Sequence, residues 1–318
     1  MLCCSKLNHI CSGVQPLETA RRIRNAACAS QLAPNTRFLL PFGLLLGFCY
    51  LVLGKGATMI ELAVDAAREA GKFLKINVGK FRELERKQGE ERNLVTEIDR
   101  KAEQLIIEII RKRYPSHEFL GEESGSHRTQ SDYKWIIDPL DGTTNFTHGL
   151  PIFCTTIGLE HKGEIILGVT YDPNTDELFT AEKNKGAYLN SRRIHVSKAK
   201  RLMESLIITG FPYDIKDNPH NAVEHFSNML MATQAVRRLG SAAIDLAYVA
   251  CGRFDGFWEV TLNPWDMAAG VLLVEEAGGK FTNFKGFPST IYFPNVLATN
   301  GLIHEQMVEV LRRGQKQA

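Results

Sequence analysis

Residues 135–151 read WIIDPLDGTTNFTHGLP. The apolar run Trp135-Ile136-Ile137 has the length and composition of a buried strand. It ends in two aspartates, Asp138 and Asp141, with Pro139 between them, and is followed by Gly142, Thr143, Thr144 and Asn145. An ordinary turn would account for Asp138, Pro139 and Gly142. It would leave Asp141, Thr143 and Thr144 without a reason. Two carboxylates aimed at one spot from the end of a strand suit a cation better than a turn.

Upstream, Ile60, Val64, Ala67, Ala70 and Leu74 recur at helical spacing and predict a helix opening after Met59. A second helix is expected from Thr96 towards Arg113, with Ile98, Ala102, Leu105, Ile106, Ile109 and Ile110 on one face and Pro115 as its stop. The sequence GEES at 121–124 follows.

Downstream, 152–159, 165–171 and 177–181 read as strands, with the turn residues DPNTD at 172–176, and 206–210 reads as another. A helix is expected over 223–233. Then strands and helices alternate: strand 235–239, helix 242–250, strand 256–260, helix 267–277, strands 280–283 and 296–299, helix 302–313. Helices first, then a meander, then alternation predicts layered α/β sheets in two subdomains with a cleft between them.

The 318 residues are 44% hydrophobic and 23% charged, an ordinary globular composition. The net charge of +2 is unevenly spread. Residues 1–58 carry Lys6, Arg21, Arg22, Arg24, Arg37 and Lys55 against Glu18 alone, so the rest carries −3. That balance argues against direct nucleic-acid binding by the body. Cys3, Cys4, Cys11, Cys28 and Cys49 crowd the first segment; Cys154 and Cys251 are alone in the body. No CxxC pair exists to suggest a zinc or redox motif, and two distant thiols in apolar surroundings fit a reducing compartment, the cytoplasm.

The run 38–53 has 16 residues without a charge. A spanning helix needs about 20, and Pro41 weakens this one. The expectation is an N-terminal extension over 1–58, disordered or spurious rather than a membrane anchor, and a catalytic domain over 59–318. Gly54-Lys55 lacks the glycine a phosphate loop requires, because position 49 is cysteine.

Glu122, Asp138, Asp141 and Asp266 all lie at element boundaries, where sites form. If they converge, each pair of like charges about 4 Å apart costs on the order of 4 kcal/mol at an effective dielectric of about 20. Cations remove that cost. Ligands that are all oxygen select Mg²⁺, or the other hard ions Mn²⁺ and Ca²⁺, rather than zinc. The N–H groups of Gly142, Thr143 and Thr144 can line an anion nest, and Thr143 can orient a water. Paired metals would stabilise attacking and leaving oxygens in an in-line displacement. Read separately, Asp99 resembles part of a capping box and Asp266 a helix N-cap. Glu123 reads as a supporting or surface acid, and His148 as an ordinary loop histidine.

GEES, then DPLDGTTNF, then WDMAAG, with NLVTEID upstream, resembles the inositol monophosphatase family from about Met59 to the end of the sequence. The resemblance implies the αβαβα sandwich of the inositol monophosphatase and fructose-1,6-bisphosphatase type. It implies a lithium-sensitive, cytoplasmic, dimeric phosphatase using two or three Mg²⁺ per site. Glu122, Asp138, the Leu140 carbonyl, Asp141 and Asp266 fall where the family binds metal. Thr143 matches the threonine that helps activate the attacking water, with Asp99 and Glu122 in support. Gly142, Thr143 and Thr144 match phosphate-binding positions; Gly240, Ser241, Ala242 and Glu259 match positions that contact the polyol. Ile98 departs from the family, many of whose members carry threonine there. The expected substrate is inositol 1-phosphate. The alternatives are fructose-1,6-bisphosphatase or broad sugar-phosphate activity and, outside enzymology, a transcription-complex role such as some bacterial relatives have.

Overall fold

The computed structural model describes residues 56–78, 84–86 and 94–313; the apolar run 38–53 and nearly all of the extension expected over 1–58 lie outside them. Among the described residues no helix is long and apolar enough to cross a membrane.

Helix α1 (Met59–Asn77) starts where its periodicity predicts, behind Thr58 as N-cap. The Thr58 N–H donates to Glu61 Oε2 at 2.8 Å, and the Thr58 hydroxyl accepts from the Glu61 N–H at 3.4 Å. This reciprocal pairing satisfies two donors that a helix start leaves open. A short antiparallel ribbon, β1 (Leu84–Arg86) with β2 (Leu94–Thr96), precedes α2 (Glu97–Arg113). The buried stripe of α2 is Asp99, Ala102, Glu103, Ile106, Ile107 and Ile110. It is rotated from the expected face, and it carries two acids.

An eight-stranded sheet follows: β3 (Glu118–Gly121), β4 (Gly125–His127), β5 (Tyr133–Asp141), β6 (Cys154–His161), β7 (Glu164–Asp172), β8 (Glu177–Glu182), β9 (Gly186–Leu189) and β10 (Arg192–Arg193). Their order is β10-β9-β8-β7-β6-β5-β3-β4, and β3 with β5 is the parallel pair. The five-residue helix α3 (Thr143–Thr147) joins β5 to β6.

A second sheet holds β11 (Leu206–Thr209), β12 (Ala235–Arg237), β13 (Gly256–Glu259), β14 (Lys280–Thr282) and β15 (Val296–Thr299) in the order β12-β11-β13-β15-β14. The remaining helices are α4 (Ala222–Ala232), α5 (Ala242–Ala250), α6 (Pro264–Glu276) and α7 (His304–Arg313).

Strand alternation sorts these helices into layers. On β7, Tyr171 meets α1 at Gly71, where a Cβ would lie 2.6 Å from its ring. Gly168, three residues earlier and so on the other face, meets α6 at Ala269. In the second sheet, Ile208, Phe257, Val296 and Ala298 share a core with α5 and α6. Their neighbours Ile207, Trp258 and Leu297 face outward, against Met229 of α4 and Met307 and Leu311 of α7. The result is α1/α2, sheet, α5/α6, sheet, α4/α7. The described residues from 56 to 313 form one unit, in which the middle helices bury against both sheets.

Helix α6 is buried from Met267 to Val274 without a polar face, as expected of a helix held between two sheets. Two glycines let it lie directly on the larger sheet. A Cβ at Gly158 would sit 2.6 Å from Ala268 Cβ, and one at Gly168 would sit 2.8 Å from Ala269 Cα. This close seat brings the first turn of α6, with Asp266, to the end of β5.

Candidate functional site

The sequence suggests that β5 ends at Asp138; the strand continues to Asp141. Asp138 pairs with Thr156 and Asp141 with Cys154, three steps along β5 against two along β6. Side chains three apart on a regular strand point to opposite faces; the extra residue brings these two acids to the same side. Pro139 sits in the interruption, where a missing N–H breaks no ladder.

Glu122 arrives through the parallel pairing of β3 with β5. Gly121 pairs with Ile137, and the Glu122 N–H donates to the Ile137 carbonyl at 3.2 Å. Asp266 comes from α6, as the third residue of a capping box whose N-cap is Asn263 rather than as the N-cap itself; its Oδ2 accepts from the Asn263 N–H at 2.7 Å. Asp99, on the buried side of α2, places Oδ2 3.4 Å from the Thr143 hydroxyl.

Electrostatics ties these groups together. Asp138 is 1% exposed. Burial first, then the charges of Glu122, Asp141, Asp266 and Asp99, push its carboxyl well above the usual range. Burial and the same Glu122 and Asp141 charges push Asp266 well up too. Asp141 is raised by burial and opposed by donors: Ser241 Oγ at 2.6 Å, the Ala243 N–H at 2.7 Å, and the amides of Ala242 and Gly142.

Backbone and hydroxyl donors hold these oxygens in place. Asp138 Oδ1 accepts from the Leu140 N–H at 3.0 Å, and Thr143 Oγ1 lies 3.1 Å from the Leu140 carbonyl. Among the described residues no three His, Cys, Asp or Glu groups stand in ready-made geometry for an ion. The donor set nevertheless fits a divalent cation. It is hard, all oxygen, largely buried and mutually repelling.

The proposed substrate positions flank these acids. Gly142 adopts φ 95°, and a Cβ there would lie 2.9 Å from the Ile152 carbonyl. Gly240 adopts φ 91° just before Ser241. Glu259, at the end of β13, is pushed up to about 8 by burial and the Asp141 charge, against the pull of Arg238. Its carboxylate occupies the space a Gly210 side chain would fill, 2.2 Å from that Cβ position.

Four residues of this region are not singled out by sequence. Asn145 donates to the carbonyls of Ile152 and Leu239, each at 2.8 Å, and so pins the turn carrying Gly240. The Tyr213 hydroxyl hydrogen-bonds to the Thr144 side chain and feels the charges of Glu122, Asp141 and Asp266. Asp245 is 1% exposed, and among the described residues neither of its carboxylate oxygens has a donor. Burial, then Glu259 and Asp141, push its carboxyl well up. Glu103 is buried in α2. Asn145 lies within the DPLDGTTNF motif; Glu103 falls off the face the sequence predicts for α2 and joins the buried one only because that face is rotated.

The model of the inositol monophosphatase family matches residues 56–316. An inositol-1-monophosphatase from Synechocystis sp. is 46% identical over 255 residues, 80% of this chain and 88% of that protein. The Nus factor SuhB of Pseudomonas aeruginosa is 43% identical over 247 residues, 76% of this chain and 91% of that protein. The solved inositol monophosphatase from Anabaena (Nostoc) sp. superposes with TM-score 0.73 at 44% identity, covering 80% of this chain and 95% of its own.

Proposed function

Because the chain belongs to the inositol monophosphatase family, we propose that it is a Mg²⁺-dependent phosphomonoesterase that hydrolyses inositol 1-phosphate to inositol and phosphate. The observation that carries this reading is Asp138, buried among Glu122, Asp141, Asp266 and Asp99 with its carboxyl held far above the usual range. A carboxylate is kept in so repulsive a place for a cation.

Glu122, Asp138, the Leu140 carbonyl, Asp141 and Asp266 would hold two or three Mg²⁺. Once bound, such ions neutralise the phosphate, make water more acidic and stabilise a leaving alkoxide. The protein's own groups do the rest. The Thr143 hydroxyl, between the Leu140 carbonyl and Asp99, accepts from the attacking water and passes its own proton towards Asp99. The backbone of Gly142, Thr143 and Thr144 lines the phosphate. Ser241 and Glu259 face the polyol, whose hydroxyls donate to the Glu259 carboxyl.

The test is phosphate release from inositol 1-phosphate, fructose 1,6-bisphosphate, other sugar phosphates and a 3′(2′),5′-bisphosphate nucleotide, ranked by kcat/KM. Inositol 1-phosphate should rank first, and activity should vanish in EDTA and return with Mg²⁺. Activity unchanged in EDTA overturns the reading. A second reading, a part in a transcription complex, has one observation behind it: relatives called Nus factor SuhB match about as well as those called phosphatases. Co-purification with RNA polymerase that survives Asp138→Asn would favour it.

A further inference from the structure

Helix α2 buries Glu103 among Ala102, Ile106, Ile107 and Ile110. Packing alone gives no reason for an acid on that stripe, since an isolated buried carboxylate is costly. This one is not isolated. Oε2 accepts from the Glu123 N–H at 3.0 Å, and Oε1 accepts from the Ser124 N–H at 2.8 Å. Two successive amides, one to each oxygen, make charge-assisted bonds stronger than neutral ones.

Those amides belong to the connection between β3 and β4, and the residue just before them is Glu122. Its own N–H is tied to β5 through the Ile137 carbonyl at 3.2 Å. The backbone around Glu122 is therefore fastened to the sheet on one side and clasped by α2 on the other. Gly121 makes room for the clasp, since a Cβ there would lie 2.2 Å from Glu103 Oε2.

We infer that Glu103 is a positioning residue for Glu122: by clasping the amides of Glu123 and Ser124, it fixes the loop from which the Glu122 carboxylate joins Asp138 and Asp266. The inference rests on the cation reading above. Groups that orient a ligand are typically worth 10- to 100-fold in metal affinity, and a clasp on the ligand's own loop acts in the same way.

The test is Mn²⁺ binding to the full chain by isothermal titration calorimetry, with no substrate present, for wild type, Glu103→Gln and Glu103→Asp, each checked by thermal melt. Glutamine keeps the size but turns one acceptor into a donor facing an N–H. It should weaken Mn²⁺ binding about 10- to 100-fold and raise the Mg²⁺ concentration for half-maximal activity by the same factor. The kcat at saturating Mg²⁺ should stay within about threefold. Aspartate, which keeps the charge but shortens the reach, should fall between. A merely structural acid would lower the melting temperature and leave Mn²⁺ affinity alone; that result overturns the inference, as does failure of both variants to fold. Wild type that binds no Mn²⁺ would instead sink the cation reading on which the inference stands.

Discussion

Strand β5 carries two opposite chemistries at its two ends. At the start, Trp135 Nε1 donates to His117 Nδ1 at 3.0 Å. The rings of Tyr114, His117, Tyr133 and His161 stack in a column, with centroids 4.6, 4.8 and 4.2 Å apart. That end satisfies its own bonds. At the finish, Asp138 and Asp141 join Glu122, Asp266 and Asp99 in a cluster whose charges, after burial, push the Asp138 and Asp266 carboxyls up. One end of the strand stabilises the fold; the other is stabilised by it. The difference teaches that the acid end is a local excess of charge, held in place by a scaffold that does not need it.

The strongest attempt to break this contrast is Asp138→Asn. It should cut kcat/KM by about 10³-fold, the several kcal/mol a cation site supplies. In EDTA its melting temperature should equal or exceed that of wild type, because one buried charge is gone. A destabilised variant would mean that the acid end also holds the fold together.

Next in size is the response to pH and cation. Glu259 is held up at about 8, and Asp138 and Asp266 are raised too. An acid whose folded pKa exceeds its unfolded one costs stability as pH rises from the unfolded towards the folded value. The histidines run the other way. His117 is lowered by burial, and His304 is lowered to about 4; both lose stability as pH falls below about 6.5. Between about pH 6.5 and 8.5 the acids therefore decide. The metal-free melting temperature should fall across that window. Mg²⁺ at one fixed concentration, about 100 times its Kd at pH 6.5, should add about 2.7 kcal/mol there, with the larger gain in melting temperature at the alkaline end, where fewer protons must leave the acids for the cation to bind. An equal gain at both pH values would contradict the picture.

The smallest effect sharpens the other end. Trp135→Phe removes the donor to His117 and leaves a void. It should cost about 2 kcal/mol in denaturant unfolding while kcat/KM stays within about twofold. A large loss of activity would mean that the aromatic end reaches the site.

Much of this was legible in sequence where a period or a motif carried it. The helices α1 and α2 showed their repeats, and the acids at 122, 138, 141 and 266 showed their boundary positions. What was hidden has physical causes. Strand β3 is four residues, Glu118–Gly121, too short to show alternation. The run of β5 past Asp138 was masked by Pro139, which sits in the irregularity that re-aims the acids. The start of α6 at Pro264 was hidden because a helix buried all round has no stripe to measure. Tyr213 and Asp245 reach the site through tertiary placement, Tyr213 by its bond to Thr144 and Asp245 by burial in α5, which no local pattern records.

The seat of α6 on Gly158 and Gly168 reaches further than its own contact. Neither glycine is charged and neither belongs to the acid cluster, yet together they fix how far Asp266 stands from Asp138. A single methyl group on either would act as a shim under the helix, widening the gap between two acids it never touches. The spacing of the acids is thus vulnerable to substitutions at places that carry no charge, and an inventory of reactive side chains would pass them by.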